Sequence, residues 1–465
     1  MIIKNAKALS SVGDVRARQP LLELAEATMQ SLDSRRIISG ILQLEGDILR
    51  IGTQKWDLRS KRRIYVLGAG KAANAMARAL DEVLGDRISQ GLVIVKRLEA
   101  GDFLPHIELV VGGHPIPNQD GLMASRRMLE IIDQAAPNDL FIGLISGGSS
   151  ALMSCPLPGF RLEDEQEATE ALLKSGARIL EINAVRRHIS ATNGGRLAQK
   201  VEAKGAEMIT FLISDGLGAK PTIDPAQRVV LYGTPCGPDG TTLQDARDVL
   251  AKYGLTAKLP RISEFLRHAT EKDETPKKFG DRIWQFVVSR PGNACEAAKK
   301  VALERGIAPC ILTTVLEGES SAAGTFLASI AREVRLNERP VPAPCLLLAG
   351  GETTTRIDGP CGEGGPAQEL ALGFALEIAG QGGICLCSLD TDGTDGPTSI
   401  AGGLVDGTTV ARVKELNMDC YWSLSAHNSS TVLRAAGDAV CTGNTGTNLC
   451  DLNMIYISQE LASGR

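Results

Sequence analysis

The chain has 465 residues, more than one hydrophobic core usually holds, so we expect two domains. Hydrophobic residues make up 43% and charged residues 23% of the sequence, as in ordinary globular proteins, and the net charge of −5 argues against a nucleic acid or an anionic membrane as partner. Eleven cysteines lie scattered in apolar segments without a paired metal-ligand spacing, which predicts a reduced, cytoplasmic protein.

Strand and helix patterns alternate along the chain from residue 64 onward. This alternation is typical of βαβ units and predicts an α/β fold with a parallel sheet. A helical periodicity over residues 17–50 precedes it. The predicted strands cover residues 64–67, 91–95 and 140–145, the predicted helices cover residues 72–84 and 121–135, and residues 182–197 and 208–214 continue the pattern.

The composition changes over residues 236–281, where a turn and a charged stretch replace the apolar periodicity. We place a hinge between residues 255 and 285. The predicted domains are therefore residues 1–255 and a second α/β domain at residues 285–465. The N-terminal residues lack the apolar core of a signal peptide, and no stretch approaches about 18 uninterrupted apolar residues, so we expect no membrane partner.

Four predicted buried strands end in turns that are rich in glycine and in hydroxyl, cationic or acidic side chains. Glycines let backbone N–H groups approach a ligand closely, and a helix that starts at such a turn directs its positive end at an anion. Four turns of this kind in one chain predict a cleft that handles phosphate groups. The turns read Gly-Ala-Gly-Lys at residues 68–71, Ser-Gly-Gly-Ser-Ser at 146–150, Gly-Gly-Glu-Thr-Thr-Thr at 350–355 and Asp-Thr-Asp-Gly-Thr-Asp-Gly-Pro at 390–397.

The last of these turns holds three carboxylates within six residues: Asp390, Asp392 and Asp395. They repel one another unless a cation or several hydrogen-bond donors lie between them. Oxygen ligands of this kind suit Mg²⁺, which is normally bound by one or two carboxylates together with substrate phosphates. An Asp-Gly turn is also typical of a polar cap on a following helix, and both interpretations stay open at this point.

Cationic side chains occur at two candidate positions, Lys71 and the adjacent pair Arg186 and Arg187. Lys71 lies at the start of a predicted helix, where a cation is unfavourable unless an anion is bound, although an exposed lysine is the alternative. Residues 68–73 resemble a dinucleotide fingerprint, but Lys96 and Arg97 stand where a ribose-binding acid belongs. Arg186 and Arg187 suit a carboxylate or phosphate, or a solvated helix face.

Two other loops fit a binding site and a purely structural role equally well: residues 112–118, which contain His114, and residues 442–448. A serine hydrolase is disfavoured, because residues 147–151 lack the G-x-S-x-G elbow and the chain has only five histidines.

Taken together and in chain order, these motifs resemble the glycerate 2-kinase family, also called the MOFRL family and often labelled hydroxypyruvate reductase. The resemblance implies a kinase that uses ATP and Mg²⁺ to phosphorylate the 2-hydroxyl of D-glycerate. It also implies a Rossmann-like N-terminal α/β/α sandwich, a MOFRL-type α/β C-terminal domain and a cleft between them. The matching motifs cover residues 68–73, 113–117, 146–152, 183–188, 194–198, 350–354, 365–371, 390–397 and 442–451.

The resemblance also implies roles for single residues. Lys71 would stabilise the transferring phosphoryl group, and Arg186 or Arg187 would hold the substrate carboxylate. Asp215 and Asp392 are further catalytic candidates, and Asp392 and Asp395 are the candidate Mg²⁺ ligands. The remaining candidates for binding substrate or nucleotide are Gly70, Ser146, Gly147, Gly148, Ser149, Ser150, Glu352, Thr353, Gln368, Thr394 and Asn448.

The chain departs from the family pattern at two places. Ala219 and Lys220 replace two aspartates, and Pro366 and Ala367 replace an Arg-Asn pair. These changes bear on the substrate more than on the fold. We therefore keep two alternatives, an NAD(P)H-dependent hydroxypyruvate reductase and a nucleotide- or hydroxy-acid-binding protein without turnover. The expected partners are a small hydroxy acid and ATP, with a homodimer as an open alternative to a monomer.

Overall fold

A computed structural model describes residues 1–98, 102–217, 221–223 and 228–459. Ala219 and Lys220 lie outside these residues. Its helices are α1 (Ala6–Leu9), α2 (Val15–Ser31), α3 (Ser34–Ile41), α4 (Ala73–Leu84), α5 (Gln119–Asp133), α6 (Ser149–Leu152), α7 (Leu162–Lys174), α8 (Ile179–His188), α9 (Arg196–Ala203), α10 (Leu243–Lys252), α11 (Pro260–His268), α12 (Pro291–Glu304), α13 (Ser320–Asn337), α14 (Pro366–Glu377), α15 (Thr409–Glu415), α16 (Cys420–Ser425) and α17 (Ser429–Ala435). Its strands are β1 (Leu42–Glu45), β2 (Ile48–Ile51), β3 (Gln54–Asp57), β4 (Ile64–Ala69), β5 (Gln90–Val95), β6 (Ile107–Val111), β7 (Leu140–Ser146), β8 (Glu207–Ile213), β9 (Thr222–Ile223), β10 (Val229–Val230), β11 (Ile283–Ser289), β12 (Ala308–Leu316), β13 (Cys345–Gly351), β14 (Ile384–Asp390), β15 (Gly402–Asp406), β16 (Ala439–Val440) and β17 (Asp451–Ile457).

The first large sheet has the strand order β11-β8-β7-β4-β5-β6, and β4 to β8 pair in parallel. Counted from β4, this is the order 6-5-4-1-2-3 of a doubly wound Rossmann sheet. Strands β4 and β7 are buried at every position, which explains their continuous apolar sequences. The predicted Rossmann-like α/β fold is confirmed, as are the strands expected at residues 64–67, 91–95 and 140–145.

The helix predicted over residues 17–50 is wrong beyond Ile41. The chain instead forms an antiparallel hairpin in which β1 pairs with β2. Gly46 closes the hairpin with a φ of 60°, a conformation that glycine adopts without strain. The residues of β1 read Leu-Gln-Leu-Glu, a period of two that fits a strand exposed on one face.

The second large sheet has the order β12-β13-β17-β14-β15-β16. β12 and β13 are parallel, whereas β17 runs antiparallel to both β13 and β14. β15 and β16 continue the sheet in antiparallel pairs. The carboxyl ends of β13 and β14 therefore lie on either side of the first residue of β17.

The chain forms two compact units that are interleaved in sequence. The parallel-sheet unit comprises the described residues of Ser34–Ile213 and Ala219–Val288, and the mixed-sheet unit those of Met1–Asp33, Ser214–Gly218 and Ser289–Arg465. The sequence-based bounds of 1–255 and 285–465 instead assign residues 1–33 to the first domain. In the structure, α2 from this segment packs against β14 and β17. None of the helices in the described ranges is long and apolar enough to cross a membrane.

A buried arginine holds α2 on the mixed sheet. The side chain of Arg18 is fully buried and donates to Asp406 at the end of β15, and its Nη2 lies 2.7 Å from Asp438 Oδ1. Arg412 Nη2 also donates to Asp438, at 2.8 Å. Two buried carboxylates are thus each matched by a guanidinium group, the condition under which buried charges are tolerated.

We expect Arg18→Met to lower the free energy of unfolding by about 3–5 kcal/mol, because it leaves Asp406 and Asp438 buried with an arginine fewer between them. Urea unfolding followed by circular dichroism measures the change. The matched control is Arg16→Met, which alters an exposed arginine of the same helix. Equal stabilities of the two variants would contradict a structural role for Arg18.

Candidate functional site

The first candidate site residues lie at the carboxyl ends of β4 and β7. These neighbouring strands mark the point where the strand order of the parallel sheet reverses, and ligands of doubly wound sheets bind at that position. The backbone N–H of Lys71 donates to Gly147 O at 2.9 Å, and the N–H of Ala72 donates to Ser146 Oγ at 3.0 Å. The two glycine-rich turns are thereby joined into one structure, which we call the switch-point loops (residues 70–72 and 146–150).

Gly70 is required for this close approach. It has a φ of 148°, and a Cβ atom at this position would collide with Ser146 Oγ. Ser146 is buried, and its hydroxyl accepts the hydrogen bond from Ala72. Gly70 and Ser146 therefore determine the conformation of the loops. The sequence motif alone does not distinguish this structural role from contact with a ligand.

The side chains of Lys71 and His114 both lie close to Gly148 in the switch-point loops. A Cβ atom at Gly148, where φ is 83°, would lie 2.9 Å from His114 Cδ2 and 3.4 Å from Lys71 Cγ. His114 belongs to the loop after β6, so it reaches this point from a third strand end. The structure thus places Lys71, His114 and Ser149 around one glycine.

The two adjacent arginines of α8 have different surroundings. Arg187 Nη1 donates to the buried Asp239 at 3.1 Å, and its guanidinium packs against Gly233. Arg186 is 8% exposed, and within the described part of the chain its Nε and Nη2 have no hydrogen-bond partner. Burial lowers the pKa of Arg186, and the nearby carboxylate of Glu165 opposes this effect. Arg187 therefore has a structural partner, whereas Arg186 retains donors for an anion.

The aspartate-rich turn of the mixed-sheet unit is tied to the loop that precedes β17. The N–H and Oγ1 of Thr391 both donate to Cys450 O, at 3.1 and 2.8 Å, and Leu449 N–H donates to Thr391 Oγ1 at 2.8 Å. Gly393 has a φ of 92°, and a Cβ atom there would collide with Gly443 O. The two loops thus hold each other in place.

All three carboxylates in this turn accept hydrogen bonds, and Asp390 Oδ1 accepts from the N–H of Asp392 at 2.9 Å. Asp392 Oδ1 accepts from Thr394 N at 2.8 Å and from Thr394 Oγ1 at 2.7 Å. Asp395 accepts from the N–H groups of Ala367 and Gln368 at 3.2 and 2.9 Å, and from Gln368 Nε2 at 2.8 Å. Asp395 is therefore a cap of α14. Its burial raises its pKa to about 6, against the effect of the Gln368 donors.

The register of β17 adds an acidic residue that we did not single out in the sequence. Asp451, the first residue of β17, is the direct partner of Asp390 on one side and of Gly351 on the other. Glu352 follows Gly351 in the chain. Burial raises the pKa of Asp451 well above its usual range, and the charges of Asp390, Asp395 and Glu352 add to this shift. The sequence signal for Asp451 is an aspartate at the start of an apolar strand.

Asp215 joins this region through the residues before β17. Asn448 Nδ2 donates to Asp215 Oδ2 at 3.2 Å, and Cys450 Sγ lies 3.1 Å from Asp215 O. We call Asp215, Glu352, Asp390 and Asp451 the carboxylate cluster, because all four charges raise the pKa of the buried Cys450 thiol after burial itself. Within the described residues, no group of three or more histidine, cysteine, aspartate or glutamate side chains is arranged to hold a metal ion.

The predicted site residues fall into two groups. Those in the parallel-sheet unit gather at the switch-point loops, except for Arg186 and Arg187 of α8. Those in the mixed-sheet unit gather at the carboxyl ends of β13 and β14. The first group comprises Gly70, Lys71, Ser146, Gly147, Gly148, Ser149, Ser150, Arg186 and Arg187, and the second comprises Asp215, Glu352, Thr353, Gln368, Asp392, Thr394, Asp395 and Asn448.

Known proteins resemble this chain over nearly its whole length. Residues 20–267 match the domain of unknown function DUF4147, and residues 345–451 match the MOFRL family. A D-glycerate 2-kinase from Thermotoga maritima is 41% identical over 390 residues, which cover 84% of this chain and 89% of that protein. A protein from Agrobacterium vitis with the provisional name hydroxypyruvate reductase is 35% identical over 98% of both chains. A solved glycerate kinase structure from Thermotoga maritima superposes with a TM-score of 0.78 at 36% identity and covers 94% of this chain and 99% of that one.

The fold and the two groups of loops define a two-unit α/β protein, with a Rossmann-like parallel sheet in one unit and a mixed sheet in the other. The MOFRL match lies on the mixed sheet, from β13 to the first residue of β17. With such identity over most of both chains, this protein belongs to the glycerate 2-kinase family.

We expect Gly393→Ala to destabilise the aspartate-rich turn, because alanine is strained at this positive φ and its methyl group would collide with Gly443 O. The predicted loss is about 2 kcal/mol or more of unfolding free energy, measured by urea denaturation. Gly359→Ala is the control, since a Cβ atom there meets nothing within 4 Å. A Gly393→Ala protein as stable as this control would show that the two loops do not constrain each other.

Proposed function

We propose that this protein is an ATP- and Mg²⁺-dependent kinase that phosphorylates the 2-hydroxyl of D-glycerate or of a closely related small hydroxy acid. The observation that carries the proposal is the similarity to a D-glycerate 2-kinase over most of both chains. The cytoplasmic location, the homodimer and the domain bounds of 1–255 and 285–465 stay predictions.

The surroundings of Lys71 support its role at the transferring phosphoryl group. Phosphoryl transfer depends mainly on positioning and on neutralising the charge of the phosphate oxygens. Lys71 lies beside Gly148, at the switch point of the parallel sheet, where the backbone of residues 147–149 approaches closely. A cation and a glycine-rich backbone at this position suit a phosphate group. His114, on the other side of Gly148, is a further donor for the same anion.

For the substrate carboxylate we favour Arg186 over Arg187. Arg187 already binds Asp239, whereas two nitrogens of Arg186 have no partner among the described residues. A guanidinium group binds a carboxylate through two parallel hydrogen bonds, which also fixes its orientation. Arg186 would therefore orient the hydroxy acid as well as attract it.

The carboxylates of the mixed-sheet unit suit a hard divalent cation and a proton acceptor. Mg²⁺, when bound with ATP, neutralises charge on the phosphate oxygens. Asp392 and Asp215 are the candidates to accept the proton of the substrate hydroxyl, and Thr394 and Asn448 hold them in position. Asp395 is the weaker of the two predicted Mg²⁺ ligands, because its oxygens already accept hydrogen bonds from α14.

A reductase is the second candidate, and one relative carries that name. It requires a nicotinamide dinucleotide, whose ribose is normally bound by an acid after the second strand of the fold. Strand β5 is that strand, and Lys96 and Arg97 follow it. The residues at this position disfavour NAD(H).

The test of the proposed function is ADP release from Mg²⁺-ATP in the presence of D-glycerate, with L-glycerate and other small hydroxy acids as comparison substrates. We expect release with D-glycerate, loss of release with EDTA, and a product that enolase consumes directly, as it would a 2-phosphoglycerate. Oxidation of NADH by hydroxypyruvate without ADP release would instead support the reductase. Silence in both assays would leave a binding protein without turnover.

If Lys71 neutralises charge in the transition state, Lys71→Ala lowers kcat by about 100-fold or more with a much smaller change in KM. The comparison variant is Lys55→Ala, which removes an exposed lysine from strand β3. Both proteins are expected to melt at the wild-type temperature. A Lys71→Ala enzyme with near-wild-type kcat would remove this residue from the mechanism.

A further inference from the structure

Two oppositely charged side chains are buried on the packed helices α7 and α8 of the parallel-sheet unit. Glu165 of α7 is fully buried, and Arg186 of α8 is 8% exposed. Glu165 lies on the same face of α7 as Ala168 and Leu172, because residues three or four apart share a helix face. Ala168 and Leu172 pack in one core with Val185, the neighbour of Arg186. Glu165 and Arg186 therefore project from the helix faces that meet.

Neither charge has all of its hydrogen bonds. Ser154 Oγ donates to Glu165 Oε2 at 2.5 Å, whereas Glu165 Oε1 has no partner in the described part of the chain. The same holds for Nε and Nη2 of Arg186. Burying a charge without hydrogen bonds is costly, and an opposite charge nearby offsets only part of that cost. Water or a ligand must therefore supply the remaining partners of this pair.

Glu165 and Arg186 are each the strongest charge that acts on the other. Burial raises the pKa of Glu165, and the charge of Arg186 is the main influence that lowers it. Burial lowers the pKa of Arg186, and the charge of Glu165 raises it. Arg187 acts on Arg186 in the opposite sense to Glu165, and its own guanidinium binds Asp239. Glu165 is thus the carboxylate that favours the charged form of Arg186.

Glu165 also connects Arg186 to the switch-point loops. Ser154, which donates to Glu165, follows directly after α6, and α6 begins within those loops. Beyond the end of α8, Asn193 Nδ2 donates to Ser150 O at 3.3 Å. Both α7 and the segment after α8 are therefore joined to the loops. The carboxylate and the 2-hydroxyl of a hydroxy acid are attached to neighbouring carbon atoms, so a carboxylate-binding arginine needs such a connection.

We propose that Glu165 is a positioning residue that holds the guanidinium group of Arg186 in place for the carboxylate of the hydroxy acid. The inference rests on the proposed function, because it takes Arg186 as the residue that binds the substrate. Glu165 acts through Arg186, and Ser154 fixes the orientation of its carboxylate. Glu165 belongs to a run of acidic residues at the start of α7, so the sequence pattern does not distinguish it from its neighbours.

Calorimetric binding of D-glycerate to the full chain tests the proposal without catalysis. Glu165→Gln keeps the shape of the side chain and an acceptor for Ser154, and it removes the charge. We expect this variant to raise the Kd for D-glycerate about tenfold or more, because Arg186 loses its opposite charge. The control is Glu167→Gln, at an exposed position of the same helix, and it is expected to bind D-glycerate as wild type does.

A double-mutant cycle shows whether Glu165 acts through Arg186. We expect Arg186→Met to weaken binding at least as much as Glu165→Gln, and the double variant to bind no more weakly than Arg186→Met alone. In steady-state kinetics, Glu165→Gln is expected to raise the KM for D-glycerate and to leave kcat and the KM for ATP unchanged, as when a ground-state binding contact is lost. Additive losses from the two substitutions would contradict the proposal.

Urea unfolding separates this role from a structural one. A carboxylate that only joins α7 to α8 would change the stability of Glu165→Gln and leave its Kd for D-glycerate at the wild-type value, which overturns the proposal. If Glu165→Gln does not fold, Ser154→Ala provides the test, because it releases Glu165 Oε2 without removing the charge. We expect Ser154→Ala to raise the Kd by a smaller factor, and an unchanged Kd overturns the proposal.

The outcomes also separate this proposal from the proposed function. Wild-type binding of D-glycerate by Glu165→Gln, with ADP release intact, overturns the positioning role and leaves the kinase. Weaker binding by Glu165→Gln, in a protein that releases no ADP with any hydroxy acid, supports the role and overturns the kinase. If wild type binds no hydroxy acid, Arg186 is not a carboxylate site and the role of Glu165 is overturned with it.

Discussion

Strand β17 runs between β13 and β14 in the opposite direction, and the geometry of the mixed-sheet unit depends on this insertion. A central antiparallel strand begins where its two neighbours end. The loops that follow β13 and β14 and the loop that precedes β17 therefore meet at one edge of the sheet. Thr391 and Gly393 contact residues 443–450 there and so join the aspartate-rich turn to the loop before β17. The same topology places Asp451 opposite Asp390, a juxtaposition that no single segment of the sequence contains.

In the parallel-sheet unit, loops from two strands also meet at one edge of the sheet. Here β4 and β7 are parallel neighbours at the point where the strand order reverses, so two βα turns lie side by side without an inserted strand. Ser146 and Gly70 pack so closely that the two turns have little conformational freedom. Several residues of the motifs are thus needed to build the loops, and this need is separate from any contact that they make with a ligand.

The sequence predicts the strands of both sheets well where they are buried on both faces, because a continuous apolar segment followed by glycines has few other interpretations. It fails at residues 42–50, where short amphipathic strands share their residue spacing with the end of a helix. The sequence also does not distinguish Arg186 from Arg187, because only the fold brings Asp239 next to Arg187.

Asp451 and Arg18 were not identified from the sequence because their contacts join distant parts of the chain. Asp451 precedes an apolar strand, and its significance comes from the register with β14. Arg18 has the sequence environment of an exposed helical arginine, but its partners Asp406 and Asp438 are about four hundred residues away in the chain. Local patterns carry no information about pairs at that separation. The sequence-based bounds therefore group residues 1–33 with the residues that follow them, whereas contacts within the structure group them with the mixed sheet.

The packing of α2 on the mixed sheet also has a consequence for the order in which the protein forms during synthesis. Residues 15–31 are synthesised before the whole parallel-sheet unit, yet the strand at the centre of their sheet, β17, is among the last described residues to emerge. Domains generally fold as units while the chain is made, so the parallel-sheet unit can form while α2 still lacks its partner. Until β14 and β17 have been synthesised, α2 lacks the strands that cover its apolar face and Arg18 lacks its buried partners Asp406 and Asp438.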